Sequence, residues 1–369
     1  MEMECCSHSG RSSRRSFIKQ MSLGAAGLSL GSLGMTGCST MMRTVAVGGR
    51  RVIREAGTSP VSFVTSKDQR DAAYQALKPI QRQIEREIGD KQVVIKINSG
   101  QIRKDWWLNA TDPKFTAGIL DFLKEFYDRQ VIVAESTAAG AKSTMEGFEN
   151  YGFMPLEKEF NVKFVDLNDG PATTQFILND NRHPLAINII NTYLDPNVYM
   201  ISATRLKTHN CVIATLSMKN ITMGSPINHF KQKARKDRNE KPFMHSGGNR
   251  GLSYNLFRLA TLGVQPDLAV LDGVVGMEGN GPVSGTEMRQ GVAVASCDWL
   301  AADRLGVELM GMDYSEIKYL QWCADAGMGT DDLSKIKIIG PDYKNHIVKY
   351  KLSDNIEGQR KWIREDYKS

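Results

Sequence analysis

Short unbroken apolar runs alternate with stretches whose apolar residues recur every three or four positions, from about residue 90 to residue 340. Gln92–Asn98, Gln130–Ser136, Val162–Leu167, Val198–Thr204, Leu268–Val275, Val292–Ser296 and Lys335–Ile339 are rich in Val and Ile and too short for ordinary helices. They predict buried strands. Between them, Phe115, Ile119, Phe122, Leu123 and Phe126 share one face of a helix over Phe115–Tyr127, and Trp299–Met310 reads as another helix. Strands separated by helices predict an α/β fold: a mostly parallel sheet or sheets with flanking helices, Rossmann-like. No internal repeat or low-complexity linker interrupts residues 61–345, which read as one domain. An arm over 38–60 precedes it and a polar C-terminal segment, 346–369, follows.

The first 37 residues read as an address. Ser13-Arg14-Arg15-Ser16-Phe17-Ile18-Lys19 has the twin-arginine pattern, with Arg14 and Arg15 presented to the Tat export machinery. Met21 to Gly37 is weakly apolar and holds five glycines, which suits a signal h-region better than a membrane-spanning helix. Gly34-Met35-Thr36-Gly37-Cys38 resembles a bacterial lipobox with Met where Leu is usual, so that Cys38 would become the lipid-modified first residue. The expectation is a protein of the cell envelope or periplasm, held to a membrane by that anchor.

Composition changes this picture little. With 41% hydrophobic and 24% charged residues, the chain is not collagen-like, coiled-coil or disordered. A net charge of +6 is mild and spread along the chain, so no nucleic-acid partner is expected. With Cys38 taken as the anchor, only Cys211, Cys297 and Cys323 remain past the signal, without C-x-x-C spacing, and they cannot form a self-contained iron–sulfur site. No other cofactor is specified, and a bound metal stays open.

In open α/β sheets, ligands bind beyond the carboxyl ends of the strands. The predicted ends carry Lys96 and Asn98, Glu135 and Ser136, Lys207 and His209, Asp272 and Glu278, and Asp298. Lys96, Lys207 and Lys219 would bring three ammonium groups to one cleft. Such a cleft selects an anionic small molecule, or uses one lysine as base or Schiff-base former. Asn98 and Asn220 complete the ligand-binding set. His209 is the candidate for proton transfer, its ordinary pKa of about 6.5 suiting either direction. His229 and His245 flank a polar loop that could approach it. Asp272 and Glu278 would supply a base or, with His209, a metal site, although no tight ligand spacing occurs. Gly276 to Pro282 reads as a glycine-rich turn in which Gly279 and Gly281 let backbone N–H groups approach an anion. It matches neither the P-loop nor the dinucleotide fingerprint. The basic run Lys231–Lys241 reads as a solvated loop, and Trp106-Trp107 as core packing.

The densest stretch is Arg205-Leu206-Lys207-Thr208-His209-Asn210 followed by Thr215-Leu216-Ser217-Met218-Lys219-Asn220. Together with Lys96-Ile97-Asn98, Asp272 to Pro282, Asp298 to Asp303 and Gly327-Met328-Gly329, it resembles the signature of the DUF362 family, bacterial and archaeal proteins named for unknown function. The resemblance covers roughly residues 90–340. It implies the α/β fold but no settled activity. Many relatives carry an appended ferredoxin-like segment with cysteine clusters, and this sequence shows no such clusters. Two functions follow: an exported, membrane-anchored enzyme acting on an anionic small molecule through a Lys/His/carboxylate cleft, or a non-catalytic lipoprotein that binds a ligand or partners a redox complex.

Overall fold

A computed structural model describes residues 43–47, 50–54, 59–138, 144–229 and 239–366. Arg14, Arg15 and Cys38 lie outside these residues, as does most of the Lys231–Lys241 run. The Val- and Ile-rich runs form the strands β3 (Ser59–Thr65), β4 (Gln92–Lys96), β5 (Val131–Glu135), β6 (Val162–Asp166), β9 (Val198–His209), β11 (Leu268–Asn280), β13 (Val292–Ser296) and β14 (Ile336–Ile339). They line up as β14-β3-β13-β11-β9-β4-β5-β6, with β10 (Ile213–Thr215) added to β9 and β12 (Ser284–Met288) added to β11. Along the main path only β13 runs against its neighbours; β6, β5, β4, β9 and β11 are successively parallel, as are β3 and β14. Two further antiparallel pairs stand apart: β1 (Arg43–Val47) with β2 (Arg50–Arg54), and β7 (Ala172–Leu178) with β8 (Pro184–Ile190).

The strands read as continuous apolar runs because both faces of the sheet are covered. Val93, Ile95, Tyr199, Ile201 and Val270 point to one face. There they pack with α1 (Gln69–Leu77), α2 (Gln81–Ile88) and α3 (Pro113–Leu123), through Leu77, Ile84, Phe115 and Phe122 among others. Val94, Met200, Ala269 and Leu271 point to the other face. They meet α6 (Ser217–Gly224), α7 (Gly248–Thr261), α8 (Trp299–Leu309) and α9 (Lys318–Asp325). The short helices α4 (Thr144–Asn150) and α5 (Leu156–Glu159) lead into β6.

Three differences from the sequence reading bear on function. β9 does not stop at Thr204: it runs on through His209, every residue buried, because β10 and β11 pair with its polar end. β11 likewise continues through the supposed glycine-rich turn to Asn280 and pairs there with β12. Asp298 follows the antiparallel strand β13, so it sits at the opposite edge of the sheet from the other candidates. There it caps α8 through the Ala301 N–H and accepts a hydrogen bond of 2.6 Å from Ser59.

The segment after 345 is polar in composition yet packed over its described part. Tyr350 is buried, and α10 (Ile356–Asp366) buries Ile363 and Gln359. The Gln359 Oε1 accepts the Ile213 N–H at 2.8 Å. The tryptophan pair does not join the core. Trp107 is exposed and lies with its ring centroid 5.4 Å from the Arg205 guanidinium carbon, while Arg103 covers Trp106 at 4.3 Å.

Candidate functional site

The strand order turns between β4 and β9: the chain goes from β4 outward to β5 and β6, then returns to the other side of β4 as β9. A crevice opens at such a switch point, beyond the carboxyl ends of the parallel strands. It is here a cavity of about 310 Å³, and Lys96, Glu135, Lys207 and His209 bring the ends of β4, β5 and β9 to it. Helix α6 adds Lys219, Asn220 and Met223. His245, Pro282 and Val283 also line it.

The floor is a closed hydrogen-bond network. Lys96 is an ammonium with three acceptors: Glu135 Oε1 at 2.6 Å, the Ile97 carbonyl at 2.7 Å and Asn220 Oδ1 at 3.0 Å. Asn220 Oδ1 also accepts from Asn98 Nδ2, and its own amide donates to the Lys96 carbonyl and Ser202 Oγ. Glu135 is fully engaged as well, accepting the backbone N–H groups of Ser99 and Ser136 besides Lys96. Both members of the ion pair are buried. Burial lowers the pKa of Lys96, with Glu135 opposing the shift.

Lys241 is the second ammonium with three acceptors. It donates to the carbonyls of Gly224 at 2.5 Å, Pro226 at 2.7 Å and Met223 at 3.4 Å, satisfying the C-terminal end of α6. Although it closes the run read as solvated, it is buried, and burial takes its pKa down to about 7. The other end of α6 is held by Asp303 of α8, which accepts the N–H groups of Ser217 and Met218.

The remaining two lysines are different. Among the described residues Lys207 has two acceptors, Asn98 Oδ1 at 2.5 Å and the Asn109 carbonyl at 2.7 Å, and no carboxylate partner. Burial pushes its pKa far down, and the charges of Lys219 and Arg205 push the same way. A neutral amine has two hydrogens and one lone pair, so these two bonds suit the uncharged form and leave the lone pair unoccupied. Lys219 has no hydrogen bond or ion pair to any described residue, yet it is 6% exposed, and burial lowers its pKa to about 8. The Thr215 hydroxyl, on the cavity wall, is also buried without a hydrogen-bond partner among the described residues.

His209 is held in one tautomer. Its Nδ1 accepts the Cys211 N–H at 3.0 Å, which leaves Nε2 as the protonated nitrogen of the neutral ring. Burial keeps that ring neutral, and the positive charge of Lys219 reinforces the effect. Such an imidazole donates a hydrogen bond; it does not take a proton at Nε2.

The other sequence candidates are not part of the cavity. Asp272 lies inside β11, fully buried, beside Arg205 Nη1 at 3.4 Å and accepting the Val274 N–H. Burial raises its pKa to about 6 against the pull of Arg205. Glu278 is half-buried in the β11–β12 hairpin, where it accepts the Lys351 N–H at 2.7 Å. With His209 in the cavity and these two carboxylates engaged elsewhere, the expected metal-binding trio is not assembled. Among the described residues no three His, Cys, Asp or Glu side chains gather in that way. The anion role expected of Gly279 and Gly281 also fails: their N–H groups are spent on the carbonyls of Lys351 and Gly279. Gly281 serves packing instead, since a Cβ there would lie 2.1 Å from the Thr208 carbonyl oxygen. His245 does reach the cavity, as the sequence suggested. The role of Lys241 was hidden in its basic run, because only the folded end of α6 supplies its acceptors.

The model of the domain of unknown function DUF362 matches residues 93–308. The chain belongs to that family. The DUF362 match begins in β4 and ends in α8, so it encloses every lysine and histidine of the cavity. A thylakoid-associated protein of Synechocystis sp. is 26% identical over 207 residues, 56% of this chain and 59% of that protein. The chain thus matches less than two thirds of that relative's length. Among solved structures, the lactate racemase apoprotein from Thermoanaerobacterium thermosaccharolyticum aligns with a TM-score of 0.38 and 13% identity, over 75% of this chain and 63% of that one. A likeness at that level says nothing about activity.

Proposed function

We propose that the cavity binds a small anion, a carboxylate or a phosphate, and carries out proton transfer on it. The observation that supports this is an imbalance of charge. Lys207 and Lys219 line the cavity, while Glu135, the single carboxylate among its described lining residues, is already bound to Lys96 and two backbone N–H groups. At low dielectric two neighbouring amines do not both stay charged without a counter-ion, so Lys207 is neutral and the Lys219 ammonium goes uncompensated until an anion enters. Lys219 supplies the charged contact, His209 donates from Nε2, and the Lys207 lone pair takes the proton. With two acceptors and no carboxylate beside it among the described residues, Lys207 keeps a lone pair available to take a proton, and that supports an enzyme over a passive binder. The volume of about 310 Å³ stands at the small end of ligand sites, roughly 300–1,000 Å³, and suits a small molecule.

Calorimetric titration of the folded protein with acetate, oxalate and phosphate tests the reading. Saturable binding of at least one of them, at one site per chain, is the expected result. No saturable heat from any of the three would refute it.

Export by the twin-arginine route and lipidation at Cys38 belong to the same proposal, supported by the signal-like residues 13–38. The variant Cys38→Ser should lose palmitate labelling and leave the membrane fraction. Labelling that persists in this variant excludes the anchor.

A further inference from the structure

Four buried lysines line one cavity, and they differ in how many hydrogen-bond acceptors each holds among the described residues. Lys96 and Lys241 have three, Lys207 has two and Lys219 has none. That count separates their chemistry. An amine that condenses with a carbonyl gives up at least one of its N–H groups. At Lys96, Lys241 or Lys207 the change would leave buried carbonyl or amide oxygens without a donor, which is costly away from water. Lys219 can change without breaking a bond to any described residue.

We infer that Lys219 is an imine-forming lysine, and that the small anion of this site carries an aldehyde or ketone group, as a 2-oxo acid does. The inference rests on the anion reading above and narrows its substrate class. In the addition step the Lys219 Nζ lone pair attacks the carbonyl carbon, a C–N bond forms, and the carbonyl π pair moves to oxygen. The new C–N nitrogen then loses a proton to the Lys207 lone pair. Lys207 passes that proton to the oxygen. In the second step the nitrogen lone pair forms C=N as the C–O bond breaks. The oxygen leaves as water with one further proton taken up from solvent. Overall, amine, carbonyl and one proton give a protonated imine and one water. His209 donates a hydrogen bond to the oxygen from Nε2 and keeps its own proton throughout. The protonated imine retains the positive charge of Lys219, so attraction for the substrate's anionic group persists. Burial supports the nucleophile, taking the pKa of Lys219 to about 8.

Trapping tests this directly. The folded full-length chain is incubated at neutral pH with glyoxylate or pyruvate and sodium cyanoborohydride, and its peptides are mapped by mass spectrometry. The expected result is one reduced adduct per chain at Lys219. It should form roughly a hundredfold faster than at exposed lysines, whose ordinary pKa near 10.4 leaves far less free amine. Oxalate, an anion without a reducible carbonyl, should suppress it, and Lys219→Arg should abolish it. Suppression by oxalate in the unaltered chain keeps the test valid if the variant does not fold. Adducts confined to exposed lysines, or none, overturn the inference. If oxalate still binds in the titration, the anion reading survives that failure. If oxalate, acetate and phosphate all fail to bind, both fall.

Discussion

Glu135→Gln should destabilise the folded protein by about 3–5 kcal/mol, the range for breaking one side of a buried ion pair. Glu135 and Lys96 are 2% and 1% exposed and 2.6 Å apart. The same carboxylate accepts from the backbone at Ser99 and Ser136. Glutamine keeps one acceptor oxygen, turns an N–H₂ group toward existing donors, and leaves the Lys96 ammonium buried without its counter-charge. Urea denaturation read by circular dichroism measures the loss as a fall in midpoint. The double variant Lys96→Met with Glu135→Gln should recover part of it, because the unpaired charge is gone. A single-variant loss under about 1 kcal/mol would mean that the pair does not hold the floor of the cavity.

Lys219→Gln should weaken the tightest anion found in the titration by about 3 kcal/mol, roughly a hundredfold, as expected on removing one partner of a buried charged contact. The pH dependence carries the same signature. Lys219 is protonated below about 8, so affinity should be flat below that pH. Above it, affinity should fall toward tenfold per unit as the ammonium is lost. Stability moves the other way. The folded pKa lies below the unfolded value near 10.4, so between about 8 and that value the unfolded chain binds more protons. The contribution of this group to stability therefore rises with pH across that window. Affinity that holds steady from pH 7 to 10, in a protein that stays folded, would remove Lys219 from the anion contact.

The central strands were legible because burial on both faces writes itself as an unbroken apolar run. β4, β5, β6 and β13 lie where Val and Ile cluster. The polar half of β9 was not legible, since Arg205, Lys207 and His209 are residues that ordinarily leave a sheet. They stay in it because two flanking strands take their backbone groups, Asp112, Asn98 and backbone carbonyls take the side chains of Arg205 and Lys207, and His209 accepts the Cys211 N–H. The error at Asp298 came from strand direction. A strand looks the same in sequence whether it runs with or against its neighbour, but its end then falls on the opposite edge.

Residue type and local pattern thus determined by themselves the α/β class, the family resemblance and the expectation that Lys96, Lys207, His209 and Lys219 gather near one cleft. Hydrophobic periodicity and strand-end polarity are local properties, readable over a few residues. Tertiary structure decided which of those groups still has something to bind. Lys96, Lys207, Lys219 and Lys241 are one residue type in the sequence. Their chemistry parts only when the fold places three acceptors, two, or none around each nitrogen, because the protonation state and reactivity of a buried amine are set by its neighbours in space.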